Sequence, residues 1–388
     1  DADATVTVIY TLTVDIANLA DIEDLTVTDQ LPDNLQFLDI VSDAGATTVT
    51  QPSTSEPGGS ITFEWAGITT GASGPDLVLQ YRVYAPELDA GDNAVIDPDT
   101  GASVPATNEA QATGDYDDGS TSTAVSAQAQ HTLTLRSVAV QKGVSLHEDN
   151  NASGISPGDV LEYTIELQIS DYFAFQDIAI TDVIDDGQTF LDSPAPHLAV
   201  TESGNSGDWD FVDGDTYSWS HNASTGKTTL VFDVSQLLDD EGFGVNGDGS
   251  LEGDEYTDDN HDGEPATGTI VFRTSIDEAY EDPASYPDGN EWLGAGDSTG
   301  NRVDIAANLL GTATGVSDSS EAGVTIVTPT LQKSVYAING NTSPADFKVA
   351  PGETVTFSLR IEIEPGETED LALTDYLPIP FLDVTELT

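Results

Sequence analysis

The sequence predicts an all-β chain of tandem β-sandwich domains, and three observations carry that prediction. Apolar residues alternate with polar ones in many short segments, the period-two pattern of half-buried strands. Pro, Gly, Asn and Asp clusters interrupt those segments at short intervals, as turns between strands require. One pattern of strands also recurs three times along the 388 residues. No window of useful length shows a 3.6-residue apolar stripe.

The repeat sets the domain order. Its first copy runs Tyr10 to Val14, Leu25 to Asp29, Leu31-Pro32 and Phe37-Leu38-Asp39. The second runs Tyr163 to Leu167, Ile178 to Asp182 and Phe190-Leu191-Asp192, and the third Phe357 to Ile361, Leu371 to Asp375 and Phe381-Leu382-Asp383. The spacing from aromatic residue to Asp is 19, 19 and 18 residues. Later landmarks match in the first two copies: Tyr81-Arg82 with Phe272-Arg273, and Asn108 with Asn301. The expected domains are therefore 1–130 (lacking its first strand), 131–328 with an acidic insertion at about 193–265, and the start of a third at 329–388. Many short strands in this order point to immunoglobulin-like sandwiches. A start at Asp1, within strand-like sequence, suggests a piece of a longer protein.

Each opening strand shows the alternation. Val6, Val8, Tyr10, Leu12, Val14 and Ile16 share one phase, as do Leu161, Tyr163, Ile165, Leu167 and Ile169, and Val355, Phe357, Leu359, Ile361 and Ile363. The stretch from Asn151 to Asp186 combines an Asp/Asn/Gly loop, Pro-Gly-Asp, a Tyr-Thr strand and a Thr-Asp segment, and Val349 to Pro378 repeats the scheme. In these residues the chain resembles the conserved-repeat module of bacterial and archaeal surface proteins, the domain of unknown function numbered eleven. The resemblance implies immunoglobulin-like modules in tandem, in large secreted or wall-attached adhesins and surface-layer proteins.

Charge narrows the partners. Nine Lys and Arg face 70 Asp and Glu, a net charge of −61. Such a surface repels phosphates and anionic lipids, which argues against nucleic acid and direct membrane insertion. No run of eighteen apolar residues occurs, and cysteine is absent, so neither a spanning helix nor a disulfide is expected. Cations are attracted instead. A calcium-rich exterior and a saline one both suit this composition.

Calcium takes six to eight oxygens, commonly from alternate positions of a short loop. Asp258, Asn260 and Asp262 before Gly263 give the first half of such a loop, with Glu264, Asn246, Asp248, Glu252 and Asp254 as further ligands nearby. A second candidate comprises Asp149, Asn151, Ser153 and Asp159. A solvated acidic loop is the alternative to the first, and Ser153 is a weak ligand in the second. The recurrent acids Asp29, Asp182 and Asp375 read as turn caps at strand ends.

Lysine is rare: Lys142, Lys227, Lys333 and Lys348 are all there are. Lys142 and Lys333 occupy equivalent first strands, in VQKGVSL and LQKSVYAI. This is similar to the isopeptide domains of surface fimbriae, where a first-strand Lys joins a last-strand Asn beside a buried acid. The resemblance implies Asn301 as partner of Lys142, with Asn308 next. A salt bridge to one of the many carboxylates is the reading preferred to that link.

No catalytic residue is assigned. Gly154-Ile-Ser156-Pro-Gly158 lacks the strand-to-helix setting of a nucleophile elbow, and Gly242 to Gly247 leads into an acidic run unsuited to a pyrophosphate. Trp65, Trp209, Trp219 and Trp292 are candidates for stacking on sugars, though plugging a core is their commoner use. The expected function is an extracellular structural or adhesive module at a cell surface, rigidified by calcium. Its expected partners are neighbouring repeats, other copies of itself, and surface glycans or proteins. A polymerising filament or surface-layer subunit and a carbohydrate-binding module are the alternatives.

Overall fold

The computed structural model describes residues 7–17, 20–69, 77–117, 120–150, 154–244, 247–256, 265–286, 289, 291–327, 330–343, 348–350, 352–362 and 372–376. The chain is all-β, with its strands paired antiparallel in successive sandwiches.

The first domain contains β1 (Val8–Val14), β2 (Asp21–Leu31), β3 (Gln36–Ser42), β4 (Thr48–Thr50), β5 (Gly59–Thr69), β6 (Leu77–Tyr84), β7 (Val104–Asp117) and β8 (Ser122–Leu135). They form one sheet in the order β1-β6-β3 and another in the order β4-β5-β2-β7-β8. Alternation drives the assembly: Leu25, Val27, Asp29 and Leu31 of β2 all point inward and are buried. They meet Leu79, Tyr81 and Val83 of β6 in a single apolar cluster. Each large side chain so buried contributes roughly 1.5–3 kcal/mol.

The second domain begins with β9 (Val138–Glu148), β10 (Val160–Ile169), β11 (Ala174–Ile184), β12 (Gln188–Leu191), β13 (His197–Glu202) and β14 (Asn205–Asp210). It continues with β15 (Tyr217–Asn222), β16 (Lys227–Asp233), α1 (Val234–Asp240), β17 (Leu251–Glu252), β18 (Ala266–Ile276), β19 (Ser298–Leu309) and β20 (Gly315–Thr325). One sheet has the order β14-β13-β18-β10-β9, the other β15-β16-β11-β19-β20. β10, β11, β18 and β19 thus repeat the places of β1, β2, β6 and β7. The segment 193–265 supplies β13, on β18, and β16, on β11, as well as the β14 hairpin strand and α1. Asp233 caps α1 by accepting from the Gln236 N–H at 3.0 Å, and Val234, Leu237 and Leu238 are buried beneath it.

A buried glutamine ties the two sheets of this domain together. Gln188 accepts from the Tyr163 hydroxyl at 3.1 Å and the Thr274 hydroxyl at 2.8 Å. Its amide donates to Thr299 Oγ1 at 2.9 Å and the Gly300 carbonyl at 3.1 Å. Of the third domain, β21 (Thr330–Ile338) pairs with β22 (Val355–Glu362). At the first junction β8 passes to β9 through Arg136, which pairs with Asp318, and Ser137, whose hydroxyl donates to the Gly101 carbonyl at 2.7 Å.

Candidate isopeptide site

β9 carries Val138, Val140, Lys142 and Val144 in one phase, so backbone alternation sends the lysine inward with its apolar neighbours. Its side chain has no exposed surface. Nζ lies 4.8 Å from the centre of the Tyr163 ring and 4.9 Å from that of Phe272, two rings stacked 5.5 Å apart. β10 and β18 hold the aromatic pair directly opposite one another in register.

Asp182 approaches from the other sheet. It follows Ile178 and Ile180 in the inward phase of β11, is fully buried, and accepts from Lys142 Nζ. The turn-capping role read from sequence is therefore corrected: strand parity turns this acid into the core. Asn301 completes the group. β11 and β19 pair Asp182 with Val303, and Asn301 lies two residues from Val303, placing it diagonally beside the carboxyl on the same face. Asn301 is 2% exposed; its side chain lies close enough to Asp182 to lower that carboxyl's pKa, and its oxygen has no hydrogen-bond partner. Asp182 Oδ1 is likewise unpartnered. Leaving such groups unsatisfied costs about 1–3 kcal/mol each.

Burial sets the electrostatics of this site. Burial lowers the Lys142 pKa, and the attraction of Asp182 only partly opposes it. Burial raises the Asp182 pKa, against weaker lowering by Lys142 and Asn301. Both directions move the proton from amine to carboxyl. A neutral amine is a nucleophile, the Asn301 amide is an electrophile, and a protonated Asp182 is an acid that polarises the amide oxygen. Amide exchange would use these three types of group: an amine nitrogen bonding to an amide carbon, the amide C–N bond breaking, and ammonia departing. Asn308, the other expected partner, lies elsewhere, donating at 3.0 Å to Asp177 on the surface.

The other repeats hold parts of the same group. In the first domain Tyr10 and Tyr81 stack at 5.6 Å, Asp29 is fully buried, and Asn108 is 3% exposed. Asp29 pairs with Ala110, two residues from Asn108, reproducing the diagonal of Asp182 and Asn301. Burial pushes the Asp29 pKa up to about 6, tempered by the nearby Tyr81 hydroxyl and Asn108 amide. In the third domain Lys333 sits 4.6 Å from the Phe357 ring centre and pairs with Asp375.

The expected calcium ligands fall in two classes. Asp258, Asn260, Asp262, Glu264, Asn246, Asn151 and Ser153 lie outside the described residues. Among those described, Asp248 accepts from the Ser250 hydroxyl at 2.5 Å, which holds its pKa low. Glu252 is buried, and its N–H donates to the buried Glu202 at 2.7 Å. Asp254 opens a short 3-10 turn. Asp159 spends both oxygens on its own loop, accepting from Asn150 N, Ser156 N and Ser156 Oγ at 2.8–3.0 Å, while Asp149 accepts from Gly154 N at 3.4 Å. Among the described residues no three His, Asp or Glu gather in a group able to hold a metal ion. Trp65 is buried and Trp209 packs on Phe243, whereas Trp219 and Trp292 are 41% and 44% exposed.

No family model matches the chain, and no curated protein matches it. Similar solved structures include the collagen-binding domain from a Staphylococcus aureus adhesin, 13% identical over 47% of this chain and 97% of that one, with a TM-score of 0.24. The T6 backbone pilin of Streptococcus pyogenes is 11% identical over 84% of this chain and 65% of its own, with a TM-score of 0.26. The major pilin subunit of Bacillus cereus is 10% identical over 93% of this chain and 86% of its own, with a TM-score of 0.27. Among the described residues no helix is long and apolar enough to cross a membrane.

Proposed function

We propose that the chain is a structural repeat module of a large extracellular surface protein, and that its second domain fastens itself with an amide bond between Lys142 and Asn301. The observation that carries this reading is the fully buried pair of Lys142 and Asp182 with the buried Asn301 diagonal to that carboxyl on the neighbouring strand, its oxygen unpartnered. An ion pair alone leaves that amide unexplained. A self-forming crosslink uses all three groups and suits a chain with no cysteine for disulfides. The acidic surface suits an ion-rich exterior, and calcium bound around 246–264 is proposed as a second source of rigidity in the same domain.

Mass spectrometry tests the bond. The intact chain is expected to weigh one ammonia less than its sequence, with one proteolytic fragment joining the peptides of Lys142 and Asn301. Asn301→Ala and Asp182→Asn should each restore the full mass. A full mass for the unaltered chain, with the two peptides recovered separately, overturns the proposal.

A further inference from the structure

We infer that residues 96–101 of the first domain are a wedge that locks it to the second, so that the two domains move as one rigid body. The inference is independent of the proposed amide between Lys142 and Asn301.

The wedge is a turn that closes on itself. The Asp97 carbonyl accepts from the N–H groups of Thr100 and Gly101 at 3.2 and 2.8 Å, and the Asp97 carboxylate accepts from the Asp99 N–H at 2.9 Å. Pro98 fixes φ early in the turn, and Gly101 ends it in the left-handed region with φ +60°. A turn bonded in this way holds its shape before it meets a neighbour. It is also an addition to the repeat. Both domains carry a small hairpin ahead of β7 or β19: the Val95 N–H donates to the Glu87 carbonyl at 2.8 Å, and the Leu293 N–H to the Glu278 carbonyl at 3.0 Å. Asn108 follows Val95 by 13 residues, whereas Asn301 follows Leu293 by 8, so the first domain has five more here.

Those residues reach the second domain. Ile96 packs against the apolar core of that domain. Gly101 is buried where β19 passes to β20. A Cβ on it would lie 2.9 Å from Val316 Cγ2, 3.0 Å from Ser137 Oγ and 3.4 Å from Leu309 Cδ2. Glycine is what lets the turn come this close in this conformation. The surface it fits is thus the β19–β20 corner of the repeat that follows.

The connection between the domains is held from both sides. Arg136 and Ser137 are all that separates β8 from β9. The Ser137 hydroxyl, in a residue 1% exposed, donates to the Gly101 carbonyl at 2.7 Å. The Ser137 carbonyl in turn accepts from the Ser170 N–H at 2.9 Å. Arg136 pairs with Asp318, whose Oδ2 accepts from the Val140 N–H at 2.9 Å. Domains joined in one chain move against each other by default. Here the connection is too short to swivel freely, and the wedge fills the angle through which it would bend. The serine hydrogen bond is buried, so water does not compete for it.

The chain of 388 residues has no cysteine, so two introduced cysteines can carry its only spin labels. Glu64→Cys in β5 and Ser220→Cys in β15 place them at exposed positions, one in each domain. Pulsed electron resonance then reads the distribution of distances between the labels, which is expected to be narrow. Ile96→Asp puts a charge into the apolar contact and should widen the distribution at least about twofold. Val316→Asp attacks the same contact from the second domain and should do the same. Hydrogen exchange in β2 and β11 reports whether each domain stays folded, and the variant that leaves both intact is the one read. A broad distribution in the parent overturns the inference. So does a folded variant whose distribution stays as narrow as the parent's.

Discussion

Asp29→Asn isolates what a buried carboxyl costs the first domain. The carboxyl has no exposed surface, and burial raises its pKa from 3.8 to about 6. The folded domain therefore keeps this proton to higher pH than the unfolded one. Its contribution is intact below the unfolded pKa and is lost as pH rises through the folded one, over the window from about pH 4 to 6. A rise of roughly two pKa units corresponds to about 3 kcal/mol withheld at neutral pH. Asparagine has nearly the same shape and no charge to desolvate. Its gain over aspartate should thus be roughly 2–3 kcal/mol larger at pH 8 than at pH 4. Hydrogen exchange read on peptides from β2 and β7 measures the opening free energy of this domain separately from the second. A difference between variant and parent that is the same at both pH values refutes the reasoning. So does a variant that is less stable at the higher pH.

Three further outcomes follow from the second domain. Gln188→Ala removes the shared partner of Tyr163, Thr274, Thr299 and Gly300, and should cost about 2–4 kcal/mol in urea unfolding. A loss under about 1 kcal/mol would show that these groups find other partners. Gly226→Ala should cost more than about 2 kcal/mol, because Gly226 has φ +61° and a Cβ there would lie 2.0 Å from Asp186 Cγ. Asp186 has little room to yield, since it accepts from the N–H groups of Gly187, Glu281 and Asp282 at 2.8–2.9 Å; an unchanged denaturation midpoint would contradict this. Calcium at a hundredfold excess over its dissociation constant should stabilise this domain by about 2.7 kcal/mol, and the same melting curve in calcium and in excess chelator would remove it from the proposal.

Much of this was legible in strand parity. Aromatic-to-Asp spacing aligned the repeats, and the observed register pairs Tyr10 with Tyr81 and Tyr163 with Phe272, as that alignment requires. The rarity of lysine singled out Lys142, and the repeat singled out Asn301. Asp182 was misread as a turn cap, although Ile178, Ile180, Asp182 and Ile184 share one inward phase. The same alternation places Asp29 among Leu25, Val27 and Leu31. Parity reports burial as soon as it is applied to polar residues as well as apolar ones. Helix α1 was hidden for a different reason, since seven residues make only about two turns. Exposure at the start of β1 was not readable locally, because which strands become neighbours depends on pairings far apart in sequence. Val8 shares the inward phase of Tyr10 and yet is exposed.

The order of strands in the second domain decides how it answers a pull. Tension arriving from the first domain enters at Val138 in β9, and tension from the third leaves beyond Thr325 in β20. Lys142 stands five residues into the entering strand, and Asn301 stands in the strand hydrogen-bonded to the departing one. With the proposed amide in place, force crosses the core from β9 to β19 and never reaches the residues between them. β10 through β18, with the hairpins and α1, then hang from the line as slack. Only the short lead into Lys142 and the run from Asn301 through β20 remain able to lengthen. Segment 193–265, whose β13 and β16 are paired into the two sheets, can then vary without softening the chain.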